Sequence, residues 1–378
     1  MRMDLAIRGG SVLTPTGFQE GMAVGIGGGR VVALGDVEEA ETEVDASGLH
    51  VLPGFVDVHI HGAGGSSDPR TMARFLPNTG VTAFLPTLAA SSTEDTLAFA
   101  SSLALVRSEA GAAEVLGGHL EGPFLSRQHC GAQPAEHLRA PDVAQVERLL
   151  AAAGGTLRRM TIAPELAGAH KVISRLVEGG VQVSLGHSAC SYEQAVEAVG
   201  WGASAVTHTY NAMAPFHHRA PGLAGAAATC ERLVAELIAD GVHVHPAAAV
   251  ALVRACGAAR VAVVSDGLPA LGLAAGEYDW AGRAVHSDGL VAQLADGRLA
   301  GSATTLLQAL RNLVSWGVPL ADTARMLAQT GARLAGVGNR KGAIAPGFDA
   351  DIVLLDRELR LVATYCRGAA AELTTERR

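Results

Sequence analysis

The sequence predicts an α/β protein: a (β/α)8 TIM-like barrel carrying a small β-sandwich domain built from both chain termini. Three observations predict it. A unit of apolar strand, polar loop and Ala/Leu/Arg-rich helix repeats through the middle of the chain. Both ends carry short β-like stretches broken by glycine, and metal-type side chains recur where the middle strands finish. A chain of 378 residues is long enough for one large barrel with a modest appended layer.

Taken in order, residues 1–52 hold β-like stretches at 5–9, 22–26, 31–34 and 49–52 with little helical periodicity, and form the N-terminal part of the small domain. Residues 53–338 form the barrel. Its eight candidate strands are 54–61, 81–87, 115–120, 160–163, 181–186, 205–209, 233–239 and 260–265. Eight β/α units in roughly 285 residues match the usual size of a closed barrel, whose active site lies at the C-terminal ends of the strands. Residues 339–378 return to the β texture, with strands at 350–355 and 359–365 after the turn Ala345-Pro346-Gly347, and complete the small domain.

Composition excludes several functions. The formal charge is -8 and no interior basic run exceeds Arg158-Arg159, so the electrostatic footprint of a nucleic-acid binder is missing. No uninterrupted apolar stretch reaches about 18 residues, which argues against a membrane span. Residues 1–13 lack the basic segment, apolar run and cleavage site of a secretory signal, so a cytoplasmic location is expected. Five scattered cysteines without a CxxC pair read as buried free thiols rather than a disulfide framework.

The strand ends carry the chemistry: His59 and His61, then Glu121, His187, His208, His243 and Asp266. Any one such histidine alone reads as readily as a hydrogen-bonded core residue. Several strands ending alike point to a shared site. Side chains alternate along a strand, so His59 and His61 share one face and Asp57 continues it inward. Neutral imidazoles with a carboxylate suit Zn2+, Fe2+ or Mn2+ and leave a position open for water.

The run PGFVDVHIHG ending at Gly62, with HLEGPF (119–124), GHS (186–188), THTYNAM (207–213), DGVHV (240–244) and SDG (265–267), resembles the amidohydrolase superfamily. More narrowly it is similar to the N-acetylglucosamine-6-phosphate deacetylase family, nearly end to end, including GSATTLLQALRNLV from Gly301 and GAIAPGFDADIVLLD from Gly342. The resemblance implies a metal set of His59, His61, Glu121, His187 and His208 holding one or two divalent ions, zinc first, with Glu121 as the bridging or primary anionic ligand. Many superfamily members use a carbamylated lysine as the bridge. Here Lys171 falls inside a predicted helix and Lys341 outside the barrel, so that bridge is not expected.

By the same resemblance, Asp266 matches the catalytic aspartate that moves a proton from water to the departing nitrogen. Without the histidines, Asp before Gly reads as a capping carboxylate. The stretch 211–222 resembles the family's phosphate loop and implies contacts from Asn211, Ala212 and Arg219, the last reaching across a homodimer boundary. The position where some members place a carbonyl-polarising histidine is Gln133, beside Ala132, expected to contact the sugar or acyl group. His243, Leu299, Ala300 and Gly301 complete the expected sugar pocket. The implied reaction is hydrolysis of the acetamide of N-acetylglucosamine 6-phosphate. A galactosamine epimer or unphosphorylated N-acyl sugar remains an alternative substrate, and a non-catalytic binding barrel is the alternative from another class.

Overall fold

Eight short parallel strands, buried on both faces, form the centre of the computed structural model, which describes residues 3–373. They are β6 (Phe55–Ile60), β7 (Val81–Ala89), β9 (Gly118–Glu121), β10 (Leu157–Ile162), β11 (Gln182–Leu185), β12 (Ala205–Val206), β13 (Val234–Ile238) and β14 (Val261–Val264), paired in chain order. Near-continuous apolar runs such as Val261–Val264 suit strands with no solvent face. The short strand β8 (Glu114–Val115) adds to β7.

The barrel closes where β6 meets the segment after β14. His61 N donates to Gly267 O at 2.7 Å and Asp266 N to His59 O at 2.9 Å. Buried Asp57 accepts from the backbone N–H groups of both His59 and Ser265 at 3.3 Å, tying the first strand to the last.

All eight predicted barrel strands are present, the sixth cut from 205–209 to Ala205–Val206 and the third divided. The stretch 115–120 is divided because Gly117 takes φ +135°, and a Cβ there would lie 2.3 Å from Thr156 O. Helices pack outside, as at Leu306–Ser315. There the Thr305 hydroxyl caps the helix by accepting from Gln308 N, and Leu306, Leu307, Leu310 and Leu313 form the buried face.

The two chain ends build one eight-stranded mixed sheet from β1 (Leu5–Thr14), β2 (Gly17–Gly27), β3 (Arg30–Leu34), β4 (Thr42–Asp45), β5 (His50–Pro53), β19 (Ile352–Leu355), β20 (Leu361–Cys366) and β21 (Ala369–Ala370). Strand β1 pairs with β2 on one side; on the other its first half pairs with β4 and its second with β5. This branching wraps the sheet around an apolar core that includes Ile7, Val24, Ile26, Val51 and Ile352. Antiparallel pairing of β19 with β5, Ile352 opposite Pro53, joins the ends. The outermost residues of the expected segments 1–52 and 339–378, namely 1–2 and 374–378, lie outside the described residues.

One element was not expected: an antiparallel sheet of β15 (Gly276–Trp280), β16 (Arg283–Ser287), β17 (Val291–Leu294) and β18 (Leu299–Ser302), inserted after the eighth barrel strand. It stands at the barrel mouth, where an isolated bridge links Gly267 to Ser302. Cys190, Cys256 and Cys366 are buried and Cys130 and Cys230 partly so, all as free thiols. Among the described residues, no helix is long and apolar enough to cross a membrane.

A buried ion cluster locks the terminal sheet to the barrel. Lys341 Nζ is 2.5 Å from Asp351, 2.9 Å from Glu114 and 3.0 Å from Asp349, with its side chain wholly shielded from solvent. Removing one partner from a buried charge cluster costs about 3–5 kcal/mol, because the remaining charges stay desolvated. Lys341→Met is therefore expected to lower the unfolding free energy by that amount in urea titration, whereas loss of the exposed Arg74–Glu109 pair should change it by less than about 1 kcal/mol.

Candidate metal centre and active site

The strand ends deliver the site residues to one place. His59 belongs to β6 and His61 follows it, Glu121 is the last residue of β9, and His187, His208 and Asp266 each lie two residues beyond their strands. Those last three have left-handed backbone, with φ of +48°, +29° and +48°. Non-glycine residues rarely adopt this conformation, and it costs about 1–3 kcal/mol each where the surroundings impose it. Gly301 supports the turn at Asp266, since a Cβ at its φ of +119° would lie 2.7 Å from Asp266 O.

Glu121 is common to two donor sets, His59/His61/Glu121 and Glu121/His187/His208, all of them buried. His187 Nε2 and His208 Nε2 stand 3.0 and 2.9 Å from Glu121 Oε1 and 3.1 Å from each other. On the other side, His61 Nε2 is 3.2 Å from Glu121 Oε2 and 3.3 Å from His59 Nε2. Both first-strand imidazoles lie 3.3 Å from Asp266 Oδ1.

The spacing fits divalent cations. Donors about 2.0–2.2 Å from a tetrahedral ion stand about 3.3–3.6 Å apart, close to the separations seen here. Two imidazole lone pairs at such a distance repel unless a proton or a cation lies between them. The outer nitrogens are arranged for the cation: His61 Nδ1 faces Thr87 O at 3.1 Å, His187 Nδ1 faces His129 O at 2.9 Å, and His59 Nδ1 faces Glu236 Oε2 at 3.1 Å. Donating there leaves each Nε2 lone pair pointing inward.

Electrostatics favour added positive charge. Burial opposes protonation of His59, yet Asp266, Glu121 and Glu236 hold its pKa well above the usual histidine range. Burial alone would raise Glu121 and Asp266. With the imidazoles protonated, His59 and His187 hold Glu121 far below the usual carboxylate range, and His59 and His61 hold Asp266 below it too.

Beside these ligands opens a cavity of about 180 Å3. Of the expected substrate contacts, Ala132, Gln133, Asn211, Ala212, His243, Leu299, Ala300 and Gly301 line it, as do His61, Glu121, His187, His208 and Asp266. His243 is held by Asp240 Oδ2, 2.6 Å from its Nδ1. Gln133 uses its amide differently from the expectation of a sugar or acyl contact. Its Nε2 donates to Glu121 Oε2, and its Oε1 accepts from Ala90 N at 2.8 Å, so it orients the shared carboxylate.

Arg219 does not line the cavity of its own chain. It lies on an exposed loop, with Nη1 2.6 Å from His218 Nε2, beside the mutually tilted rings of His217 and His218. Three contributors escaped the sequence reading. Trp280, on the unexpected sheet, lines the cavity and packs edge-on against His61; Gly131 lines it next to Ala132; Glu236 lies behind His59. A lone glutamate in the apolar stretch 233–239 was the available signal for Glu236.

Comparisons with known proteins identify the family. The Amidohydrolase family matches residues 50–374. The chain is 34% identical to the N-acetylglucosamine-6-phosphate deacetylase of Bacillus subtilis (strain 168), over 100% of this chain and 99% of that protein. It is 35% identical to the N-acetylgalactosamine-6-phosphate deacetylase of Escherichia coli O157:H7, over 98% and 100%. A solved structure of a mutant N-acetyl-D-glucosamine-6-phosphate deacetylase from Mycobacterium smegmatis, in complex with N-acetyl-D-glucosamine-6-phosphate, superposes with TM-score 0.91 at 33% identity, covering 98% of this chain and 99% of that one.

Because Glu121 serves both donor sets while His187 serves one, their loss should differ. Elemental analysis of Glu121→Ala is expected to find neither ion tightly held, whereas His187→Ala keeps the ion at His59 and His61. Wild-type metal content in a folded Glu121→Ala protein would contradict a shared carboxylate.

Proposed function

The chain belongs to the amidohydrolase family, and from that premise we propose that it hydrolyses the acetamide of N-acetylglucosamine 6-phosphate, releasing glucosamine 6-phosphate and acetate. The observation that carries this reading is the pair of buried donor sets sharing Glu121, with the Asp266 carboxylate 3.3 Å from two of their imidazoles at the cavity wall.

His59, His61, Glu121, His187 and His208 would hold divalent cations, which when bound would lower the pKa of a water towards about 7 and polarise the acyl oxygen. Zinc is the proposed ion, two per chain, because imidazole and carboxylate donors at this spacing suit it. Asp266 takes the proton from the water as its oxygen bonds to the acyl carbon, then delivers that proton to the sugar nitrogen as the C–N bond breaks. Glu121 keeps its orientation through Gln133, and Asp240 fixes the ring of His243 for a sugar hydroxyl or phosphate oxygen.

Phosphate recognition is assigned to Asn211, Ala212 and Arg219. A guanidinium outside its own cavity, on a loop whose Phe216 is 58% exposed, supports a homodimer in which Arg219 reaches the cavity of the partner copy. A cytoplasmic site of action fits a phosphorylated substrate. The galactosamine epimer is the second reading; the Escherichia coli enzyme of that name is 35% identical, no more than relatives named for the glucosamine substrate.

The test is acetate release from N-acetylglucosamine 6-phosphate, its galactosamine epimer and unphosphorylated N-acetylglucosamine, before and after chelation and zinc readdition. The first substrate should be preferred, and activity should vanish with chelation and return with zinc. Preference for the epimer would transfer the assignment to it. Asp266→Asn should lower kcat by about 10^2–10^4. Arg219→Ala should raise KM for phosphorylated substrates alone, and equal loss on both classes would remove its phosphate role.

A further inference from the structure

Glu236 sits behind the metal donors, in the middle of β13, with no solvent exposure. Its Oε2 accepts from two groups: His59 Nδ1 at 3.1 Å and the backbone N–H of His208 at 3.0 Å. Those belong to different donor sets. Its other oxygen pairs with the guanidinium of Arg159, which is equally buried and reaches in from β10.

Resting on the reading that His59 is a metal ligand, we propose that Glu236 is the positioning residue of the metal centre, holding His59 for one ion and the strained turn at His208 for the other. Among the four ligand imidazoles, His59 is the one whose outer nitrogen meets a carboxylate; His61 and His187 meet backbone carbonyls. A carboxylate partner fixes the tautomer and raises the basicity of the coordinating nitrogen, and losing such a partner typically weakens metal binding 10–100-fold. His208 has φ +29°, a conformation that needs outside support, and the same Glu236 oxygen supplies it.

Arg159 makes the arrangement sustainable. A buried carboxylate is costly without a paired countercharge, and Arg159 supplies it. Arg159 is itself anchored, with Nη2 donating to Ser184 Oγ at 2.8 Å, and Ser184 accepts from Thr207 Oγ1 at 2.6 Å. Strands β10 to β13 thus contribute to one polar layer beneath the site.

An amide cannot reproduce this. If Gln at 236 turns its oxygen to His59 and His208, its NH2 faces Arg159, donor against donor. If it turns the other way, the NH2 faces two donors. Apo wild type, Glu236→Gln and the charge-free pair Arg159→Met/Glu236→Leu would be titrated with Zn2+ against a competing chelator. Both variants are expected to bind the ion at His59 and His61 about 10–100-fold more weakly. The paired variant guards against misfolding, because replacing a whole buried ion pair by apolar residues is often neutral for stability. Wild-type affinity for two ions in either folded variant would overturn the role of Glu236. A parallel titration of His59→Ala separates the two ideas: if that protein binds Zn2+ like the wild type, the ligand assignment has failed and the positioning role falls with it.

Discussion

Four imidazole nitrogens and two carboxylates crowd one end of a closed barrel, and nearly every other feature of the site answers to that crowding. Nitrogens 3.1–3.3 Å apart repel unless positive charge lies between them, and Glu121 alone, within 3.4 Å of all four imidazoles, cannot neutralise the group. A divalent cation among these donors would resolve the conflict, which is why the same side chains that repel one another suit a metal centre.

Holding those donors requires rigidity from several directions. Left-handed turns at His187, His208 and Asp266 bring the side chains inward just past their strands, and packing elsewhere must sustain the strain. Glycine at 301 lets the backbone pass close to Asp266 O, Gln133 holds Glu121, and Glu236 with Arg159 supports His59 from below. Barrel closure through Asp57 joins the first strand to the last, placing the first-strand histidines against Asp266.

The cavity wall is built from elements with different degrees of constraint. Trp280 and Ala300 come from the small antiparallel sheet and pack with Leu268, Val285, Ala292 and Leu294, giving an apolar wall near His61. Across from it, Asn211, Ala212 and His243 offer polar groups from the loops that follow the sixth and seventh barrel strands. Arg219 stands apart on its exposed loop, outside the cavity that the other expected substrate contacts line.

The barrel, its eight strands and the six residues His59, His61, Glu121, His187, His208 and Asp266 were legible in the sequence by itself, because apolar runs of strand length repeat and polar metal-type residues interrupt them at matching places. The joining of the chain ends was legible too, from the return of β texture after Gly347. Tertiary structure alone decided what those residues do to one another. The split at Gly117 depends on the Thr156 carbonyl just before β10, and the sheet at 276–302 is a meander of short hairpin strands that the folded chain sets at the barrel mouth. Gln133 turned towards Glu121 and Glu236 towards His59 because the folded barrel supplied those partners, 12 and 177 residues away along the chain. Residue type and spacing report which groups can bind a metal; the direction of a hydrogen bond is settled only when distant strands bring its acceptor within reach.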